Sequence, residues 1–149
     1  MRNLLLLFTV FIAISACNKD EDDQAEIDKN IIIQYIADHN LDAVEGEEGL
    51  YYVVDVAGTG DPCNSGSTVK TTYSGYLTNG NIFDQGTIDN FPLQNAIRGW
   101  QVGIPHFREG GNGKLLIPSA IGYGPNGSGS GSIPPNAVII FDVELIKVY

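Results

Sequence analysis

The sequence predicts an α+β fold in which an antiparallel β-sheet packs on one short α-helix. Three observations support this fold class. From Leu50 onward, short runs rich in β-branched and aromatic residues are separated by glycine-containing turns, a pattern typical of antiparallel strands. Only one stretch between these runs, at about Ile97 to Gly103, suits a helix. The last run alternates apolar residues with a mixed set, as expected for a sheet with one fully buried face.

Residues 1–16 have the pattern of an export signal. Arg2 provides a positive charge, and an uncharged apolar run from Leu4 to Ile14 follows it. This run is much shorter than the roughly 20 residues needed to span a bilayer. The small residues before Cys17 resemble the lipobox of bacterial lipoproteins, which implies cleavage before Cys17 and acylation of that cysteine. The alternatives are an ordinary cleaved signal peptide or a retained helix.

Most of the negative charge of the chain lies just behind Cys17. The 149-residue chain has a net charge of -10, and residues 18–48 contain 11 acidic side chains against 2 lysines. We therefore interpret residues 17–27 as an acidic, solvated tether. The acidic balance also excludes nucleic-acid binding by phosphate neutralisation.

The expected location is outside the cytoplasm, with the chain anchored by lipid to the bacterial outer membrane. The run from Lys19 to Asp23 resembles the Lys-then-acidic signal that sends some lipoproteins of Bacteroidetes-type bacteria to the cell surface. This motif is short, so the periplasmic face and the cell surface both stay open.

A short helix and a linker are predicted within residues 28–48. Between Asp28 and Leu41 the apolar residues cluster on one side of a helix. Asn40 is a suitable helix end, and residues 45–49 have the glycine and glutamate content of a linker. We expect this N-terminal helical appendage either to pack on the body of the protein or to space it from the membrane.

Residues 49–149 form the predicted main domain. Its expected strands are Leu50 to Val56, Thr68 to Leu77, Ile82 to Asp84, Lys114 to Ile117 and Ala137 to Val148. In the last strand, the apolar face is made by Ile139, Phe141, Val143 and Leu145. The connection over residues 118–136 is long for a compact domain, which favours a functional loop. Its Gly/Ser middle, residues 127–132, is interpreted as a slack insertion.

The chain contains no sequence pattern of covalent or metal catalysis. Its two histidines make no metal cluster, and Cys63 is expected to be an exposed loop thiol without a partner once Cys17 is acylated. The main domain instead combines aromatic residues with a few polar groups: Tyr73, Phe83, Asp84, Trp100, Tyr123 and Phe141. Such a set is typical of an apolar pocket that binds a ligand through oriented hydrogen bonds. We expect no metal and no cofactor.

A series of short blocks has a distinctive order and spacing: Thr72 to Leu77, Asn79-Gly80, Ile82 to Asp84, Ala96 to Trp100, Tyr123-Gly124, Ile133 to Pro135 and Phe141 to Leu145. The series resembles the FKBP-type immunophilin family of peptidyl-prolyl cis-trans isomerases and covers roughly residues 50–149. The resemblance implies a curved antiparallel β-sheet wrapped around one short α-helix, here in a bacterial lipoprotein form.

The resemblance also implies a role for each pocket residue. Trp100 would form the floor under a proline ring, and the walls would be Tyr73, Phe83, Ile97 and Phe141. Tyr123 would offer its hydroxyl to a substrate carbonyl, while the backbone N–H of Ile97 would bind a second carbonyl. Asp84 would be the polar group at the pocket rim. For each apolar residue the alternative is core packing.

The sequence departs from the family pattern at several positions of the pocket. Ala96 stands where the family usually has valine. Ile133 would close the loop side of the pocket. Ala96 and Ile133 complete the predicted substrate-binding surface. A wall aromatic that the family has before Trp100 is missing, because Asp89 falls near its place and Phe91 fits a neighbouring core position. The usual loop histidine is also missing. We therefore expect a looser pocket with fewer walls.

The resemblance implies an isomerase that accelerates rotation of X-Pro bonds in exported proteins without a nucleophile, metal or cofactor. Its partners would be proline-containing polypeptides and, by family resemblance, macrolide immunosuppressant-type ligands. We expect a lipid-anchored monomer without nucleic acid. The alternative, from another functional class, is a non-catalytic peptide-binding or chaperone module tethered to the membrane.

Overall fold

The computed structural model describes the backbone of residues 17–149 and the side chains of residues 23–149. The signal peptide predicted for residues 1–16 lies outside these residues, and the side chain of Cys17 lies outside the described side chains. Within residues 17–149, no helix is both long and apolar enough to cross a membrane.

The protein is built on a six-stranded antiparallel sheet. Its strands are β1 (Val44–Glu45), β2 (Tyr51–Val56), β3 (Thr68–Leu77), β4 (Ile82–Pro92), β5 (Gly111–Ile117) and β6 (Ile139–Val148). They pair in the order β1-β2-β5-β6-β3-β4, and every neighbouring pair is antiparallel. The α-helices of residues 17–149 are α1 (Cys17–Asp38) and α2 (Arg98–Gly103). The predicted α+β fold, with one short helix in the main domain and a helix before it, is confirmed.

One face of the sheet, here called the inner face, packs on α2 and contains the main core. The predicted apolar face of β6 belongs to this core, and each of its four residues is at most 4% exposed: Ile139, Phe141, Val143 and Leu145. Helix α2 contributes Trp100, which is 6% exposed. Removal of apolar surface from water stabilises such a core by about 25 cal/mol per Å². The alternation in β6 is therefore the sequence signal that orients the sheet.

The opposite face, here called the outer face, is covered by α1 at one end. Ile32 of α1 is fully buried in a second core whose strand residues include Tyr51, Val53, Leu116 and Ile140. Leu116 and Ile140 are direct neighbours across β5 and β6. Of the two roles predicted for the N-terminal helix, packing on the body is therefore the one that the structure shows.

Helix α1 begins at Cys17, well before the predicted start at Asp28. Residues 17–27, predicted to form a solvated tether before the helix, are thus part of the helix itself. Two effects explain the difference. Once α1 is fixed on the sheet near Ile32, each residue added upstream contributes one more backbone hydrogen bond. In addition, the acidic residues 20–23 occupy the first turns, where negative charge complements the helix dipole.

Strand β4 continues to Pro92, far beyond the predicted end at Asp84. It is an edge strand that pairs only with β3. An edge strand tolerates a polar, glycine-containing stretch because one of its sides stays in water, and this composition hid the strand in the sequence. Strand β5 likewise begins at Gly111, before the predicted Lys114. The predicted linker, residues 45–49, contains the end of β1 and the 3₁₀ turn Glu47–Gly49.

The connection between β5 and β6 is folded along most of its length. It contains 3₁₀ turns at Ser119–Ile121 and Gly124–Asn126. In its Gly/Ser middle, the N–H of Ser128 donates to the carbonyl of Ile133 at 3.0 Å, and the N–H of Ile133 donates to Oγ of Ser128 at 2.9 Å. These hydrogen bonds close the Gly/Ser stretch into a turn, and its interpretation as an insertion without function stays a prediction.

Candidate active site

A cavity of about 230 Å³ opens on the inner side of the sheet, beside α2 and the loop after β5. The residues that line it come from separate parts of the chain: Tyr73, Asp84, Ile88, Phe91, Asn95, Ala96, Ile97, Trp100, Tyr123 and Phe141. Strand β3 lies between β4 and β6 in the sheet. Residues far apart in sequence, such as Tyr73, Asp84 and Phe141, therefore meet at one opening.

The aromatic side chains of the site contact one another mainly edge to face. The ring centroids of Tyr73 and Trp100 are 5.1 Å apart with planes at 79°, and those of Trp100 and Phe141 are 5.3 Å apart, also at 79°. Phe83 meets Phe141 at 5.5 Å and 85°. Edge-to-face pairs are favoured by the ring quadrupole and each adds about 0.5–1.5 kcal/mol beyond burial. The rings are therefore held in fixed orientations.

Gly75 of β3 makes room for two of these rings. A Cβ atom at this position would lie 2.6 Å from the Phe141 ring and 2.7 Å from the Phe83 ring. Gly75 is the direct register partner of Phe141 in β6 and of Asp84 in β4. The glycine in the Tyr73-Ser74-Gly75 sequence is thus needed for close packing of the pocket wall.

Two tyrosine hydroxyls and one carboxylate form the polar part of the site. The hydroxyl of Tyr73 donates to Oδ2 of Asp84 at 3.0 Å. Burial and then this hydrogen bond raise the pKa of Tyr73, and burial together with the charge of Asp84 raises the pKa of Tyr123. Both hydroxyls consequently stay protonated at neutral pH. They remain hydrogen-bond donors over the whole physiological range.

Two donors at the site have no protein partner among residues 23–149. The hydroxyl of Tyr123, a side chain that is 37% exposed, has no hydrogen-bond acceptor there. The backbone N–H of Ile97 is also free, although its carbonyl accepts from the N–H groups of Trp100 at 3.0 Å and Gln101 at 3.3 Å. Both groups are available to the carbonyl oxygens of a bound peptide.

A third unpaired donor is buried under the site. Nε1 of Trp100 is shielded from solvent and has no hydrogen-bond partner within the described side chains. An unpaired buried N–H costs about 1–3 kcal/mol. The protein thus tolerates a local loss of stability in order to keep an indole at this position.

The structure brings together nearly all of the site residues that the sequence predicts. The cavity is lined by Tyr73, Asp84, Ala96, Ile97, Trp100, Tyr123 and Phe141. Phe83 lies behind this lining, where it contacts the rings of Phe141 and, at a centroid distance of 6.3 Å, Tyr123. Ile133 is not part of the lining; it is 3% exposed and belongs to the main core. The expectation that Ile133 closes the loop side is therefore replaced by core packing, its stated alternative.

The expectation that a wall aromatic is missing is wrong, because Phe91 lines the cavity. The reason is a bulge in β4. Val69 pairs with Phe91 and Thr71 pairs with Ile88, so Asp89 and Asn90 together oppose one residue of β3. Asn90 has φ of 52°, a left-handed conformation that asparagine tolerates, and an extra residue of this kind resets the side-chain alternation. Ile88 and Phe91 thus both reach the cavity.

Asp89, which falls near the expected aromatic position, lies away from the site. Its carboxylate accepts hydrogen bonds from Lys70 at 3.0 Å and from the Tyr149 hydroxyl at 2.6 Å. Both partners are on the protein surface. Regular strand alternation does not predict the bulge in β4. Ile88 and Phe91 were therefore not predicted as site residues.

Other features of the molecule fit a proline-binding role less well. A depression of about 630 Å³ on the outer face is larger, but most of its lining residues are polar or charged, among them Asp55, Asp142 and Glu144. Cys63, expected to be exposed, is half-buried, and burial raises the pKa of its thiol, which makes it a poor nucleophile. Within residues 23–149, no three metal-ligating side chains are grouped closely enough to hold an ion.

Comparisons with known proteins relate this chain to one family. Residues 60–146 match the sequence profile of the family described as FKBP-type peptidyl-prolyl cis-trans isomerase. The chain is 42% identical over 106 residues to a probable FKBP-type peptidyl-prolyl cis-trans isomerase of Haemophilus influenzae, a match that covers 68% of this chain and 44% of the relative. It is 43% identical over 98 residues to an FK506-binding protein of Neisseria meningitidis, covering 62% of this chain and 89% of that relative. The chain thus spans less than half the length of the Haemophilus relative and most of the Neisseria one.

The fold has solved counterparts as well. It is similar to the crystal structure of a peptidyl-prolyl cis-trans isomerase from Pseudomonas syringae, with a TM-score of 0.74 and 29% sequence identity. That similarity covers 85% of this chain and 94% of the other. The agreement in fold therefore extends over most of the chain.

Proposed function

The chain belongs to the FKBP-type peptidyl-prolyl cis-trans isomerase family, and we propose that it accelerates the rotation of X-Pro bonds in exported polypeptides, without covalent chemistry, in its aromatic cavity. The single observation that carries this proposal is the combination of an apolar aromatic lining with two unpaired hydrogen-bond donors, Tyr123 Oη and Ile97 N–H. An apolar cavity suits a proline ring, and the two donors suit the carbonyl groups on either side of it.

The chemistry follows from the properties of the amide bond. Rotation about a peptide bond has a barrier of about 18–20 kcal/mol because resonance is lost. X-Pro bonds have two isomers of similar energy that exchange over tens to hundreds of seconds. In the twisted state the carbonyl carries less negative charge than in the planar state, so a water-poor site penalises the planar ground state more. Each 1.4 kcal/mol of such differential stabilisation gives about a tenfold rate increase.

Each polar group of the site has a part in this proposal. The Tyr123 hydroxyl donates to a substrate carbonyl, and the N–H of Ile97 donates to a second one, so that the peptide is held in a turn while its amide rotates. Asp84 fixes the hydroxyl of Tyr73 at the rim through their hydrogen bond of 3.0 Å. None of these residues transfers a proton to the substrate.

A protease-coupled isomerisation assay on an X-Pro peptide, combined with a binding titration, tests the proposal. Trp100 is the only tryptophan of the chain, so its fluorescence reports peptide binding at the site. We expect binding and acceleration together. Binding without acceleration would reject the isomerase and favour the alternative of a non-catalytic peptide-binding or chaperone module. The Neisseria relative is named as an FK506-binding protein. By analogy, this cavity is proposed to bind a macrolide of the FK506 type, and the same titration with such a macrolide tests this.

We further propose that the protein is a lipid-anchored monomer of the bacterial outer membrane. The support is the residue pattern before Cys17; two or more acyl chains give stable anchoring. Mass spectrometry of the N-terminal peptide is expected to find acyl groups on Cys17, and Cys17→Ser is expected to release the protein from membranes. Digestion by an added protease in intact cells would support surface display, and complete protection would support the periplasmic face.

A further inference from the structure

A buried carboxylate links α1 to the loop that carries Tyr123. Asp28 of α1 is only 1% exposed. Its Oδ2 accepts hydrogen bonds from the backbone N–H of Ser119 at 2.7 Å and from the Ser119 hydroxyl at 2.6 Å. Its Oδ1 accepts from Nε2 of Gln24 at 2.7 Å. Three donors thus satisfy the carboxylate, as a buried charge requires.

Ser119 is the point where the loop after β5 begins its first turn. It is the first residue of the 3₁₀ turn Ser119–Ile121, and the preceding Pro118 provides no side-chain cap. The first N–H groups of a helical turn lack partners within that turn. A side-chain oxygen of Ser, Thr, Asp or Asn at the residue just before the turn normally accepts from them. Here the carboxylate comes from α1, 91 positions away in the sequence.

The capped turn continues directly into Tyr123. The N–H of Ile121 donates to Pro118 at 3.2 Å, and the N–H of Gly122 donates to Ser119 at 3.0 Å. Ile121 is 7% exposed and packs in the main core. Only Gly122 separates this fixed turn from Tyr123, so the position of Ser119 sets the position of the tyrosine backbone.

Stability alone does not require a carboxylate at position 28. The position lies one helical turn before Ile32, within the side of α1 that packs on the body, where an aliphatic residue would bury apolar surface at no desolvation cost. Replacement of buried ionic groups by well-packed apolar residues is often neutral or stabilising. Outside α1, the carboxylate gains its hydrogen bonds from the two donors of Ser119, while Gln24 of the same helix supplies the third. Its position therefore points to a role in fixing the loop.

We propose that Asp28 is a positioning residue for the isomerase reaction, through which helix α1 holds the Tyr123 loop in its substrate-binding position. This inference rests on the proposed function. Asp28 does not touch the substrate; it acts through Ser119 and the turn 119–121. The N-terminal helix is then a working part of the catalytic unit, although it lies outside residues 60–146 that match the family.

The test compares Asp28→Ala with a matched control on the same helix. Alanine is chosen because asparagine would keep an oxygen that accepts from Ser119. Asp38 accepts a hydrogen bond from Gln34 at 2.7 Å, the same i to i+4 arrangement as Gln24 and Asp28, but it is exposed to solvent. We expect Asp28→Ala to lower kcat/KM about tenfold and Asp38→Ala to leave it unchanged. Ser119→Ala, which keeps α1 intact and removes one of the two donors, is expected to give a smaller loss of the same kind.

Both substitutions are repeated with Tyr123→Phe present. If Asp28 acts through Tyr123, Asp28→Ala lowers kcat/KM by no more than about twofold in that background, because the two effects share one group. An equal loss in both backgrounds would overturn the proposal, since a purely structural role is independent of the tyrosine hydroxyl. An unchanged kcat/KM for Asp28→Ala in the native background would overturn it as well.

Hydrogen exchange separates this inference from the proposed function. Asp28→Ala is expected to speed amide exchange at Ile121 and Gly122 by at least about tenfold, whereas Asp38→Ala does not. This readout needs no catalysis. If the native protein does not accelerate isomerisation, the proposed function fails. If exchange at the loop is unaffected by Asp28→Ala, the positioning role fails.

Discussion

The hydroxyl of Tyr73 is hydrogen-bonded to the carboxylate of Asp84 at 3.0 Å, at the mouth of the aromatic cavity. The two residues are diagonal neighbours on the adjacent strands β3 and β4, because Tyr73 pairs with Gly86 and Asp84 pairs with Gly75. The same carboxylate contributes to the raised pKa of Tyr123. The Asp84 carboxylate thus affects two tyrosines of the cavity. It holds the hydroxyl of Tyr73 by a hydrogen bond, and its charge adds to the effect of burial on the pKa of Tyr123.

Asp84→Ala and Tyr123→Phe are expected to lower turnover more than stability. Tyr123→Phe removes a hydrogen bond to the substrate, and Asp84→Ala removes the acceptor that fixes the Tyr73 hydroxyl. A loss of roughly 1–1.5 kcal/mol corresponds to about tenfold in kcat/KM. Tyr123→Phe removes a hydroxyl that has no protein partner within residues 23–149, so the free energy of unfolding should change by less than about 0.5 kcal/mol. Isomerisation kinetics and urea unfolding measure the two quantities.

Tyr149→Phe is the matched control for Tyr123→Phe. The Tyr149 hydroxyl donates to Asp89 at 2.6 Å on the protein surface, outside the cavity lining. Its removal should leave kcat/KM unchanged. Parallel losses of turnover and stability in Tyr123→Phe would mean that the Tyr123 hydroxyl is structural.

Gly75→Ala and Gly86→Ala are predicted to behave in opposite ways. A Cβ at Gly75 meets the Phe141 and Phe83 rings at 2.6–2.7 Å, whereas a Cβ at Gly86, its near neighbour on β4, meets no atom within 4 Å. Overpacking of this kind costs about 1–3 kcal/mol. Gly75→Ala should therefore lower the free energy of unfolding and the affinity for a proline peptide, and Gly86→Ala should change neither. Equal effects of the two variants would show that the wall rings can move aside.

Trp100→Phe should weaken peptide binding by about tenfold but cost little stability. The smaller ring leaves space in the core, which is unfavourable. The native protein, however, loses about 1–3 kcal/mol to the unpaired Nε1–H of Trp100, and the substitution removes this loss. Phe107→Leu is the control, because Phe107 is 1% exposed and has no polar atom to relieve. Calorimetric titration and urea unfolding distinguish them. A greater loss of stability for Trp100→Phe than for Phe107→Leu would contradict the role of the unpaired donor.

The stability of the protein should fall as the pH drops below about 6.5 because of His106. The imidazole stacks on Tyr52 at a centroid distance of 3.7 Å, and burial lowers the pKa of His106 from its ordinary 6.5, with the charge of Glu47 opposing the shift. The unfolded chain then binds a proton more readily than the folded one, so stability is fully present above the ordinary pKa and declines below it.

His106→Gln should remove this dependence between pH 7.5 and 5.5, a range chosen from the ordinary pKa of 6.5. Hydrogen bonds, and then ion pairs, lower the pKa values of three acidic groups, Glu45, Glu48 and Asp89. These groups therefore change the free energy of unfolding only at more acidic pH. Unfolding by urea at several pH values measures the slope. A slope that persists in His106→Gln would contradict the assignment.

The sequence predicts those parts of the fold and site in which local pattern and tertiary environment agree. The alternation in β6 predicts its buried face because one side of that strand lies wholly in the core. The cavity residues Tyr73, Trp100 and Phe141 follow from the resemblance to the family, since they occur in blocks of constant spacing. These predictions depend on local order along the chain, which the sequence displays directly.

The parts that could not be predicted depend on long-range contacts or irregular backbone. Phe91 and Ile88 reach the cavity only because a bulge with Asn90 in the left-handed region resets the alternation of β4. The contact of Asp28 with Ser119 joins residues 91 positions apart, and the sequence around Asp28 contains no pattern that predicts it. The early start of α1 likewise depends on anchoring of Ile32 in the outer core.

Exchange NMR on one X-Pro peptide, with a small fraction of an equivalent of the native protein, tests the central claim most directly. Spontaneous cis-trans exchange takes tens of seconds or longer and gives no cross-peaks at mixing times below about one second. We predict that the protein produces such cross-peaks between the cis and trans signals, and that Tyr123→Phe weakens them. Peptide signals that shift on binding, while exchange stays at the spontaneous rate, would contradict the claim that bond rotation is catalysed in the aromatic cavity.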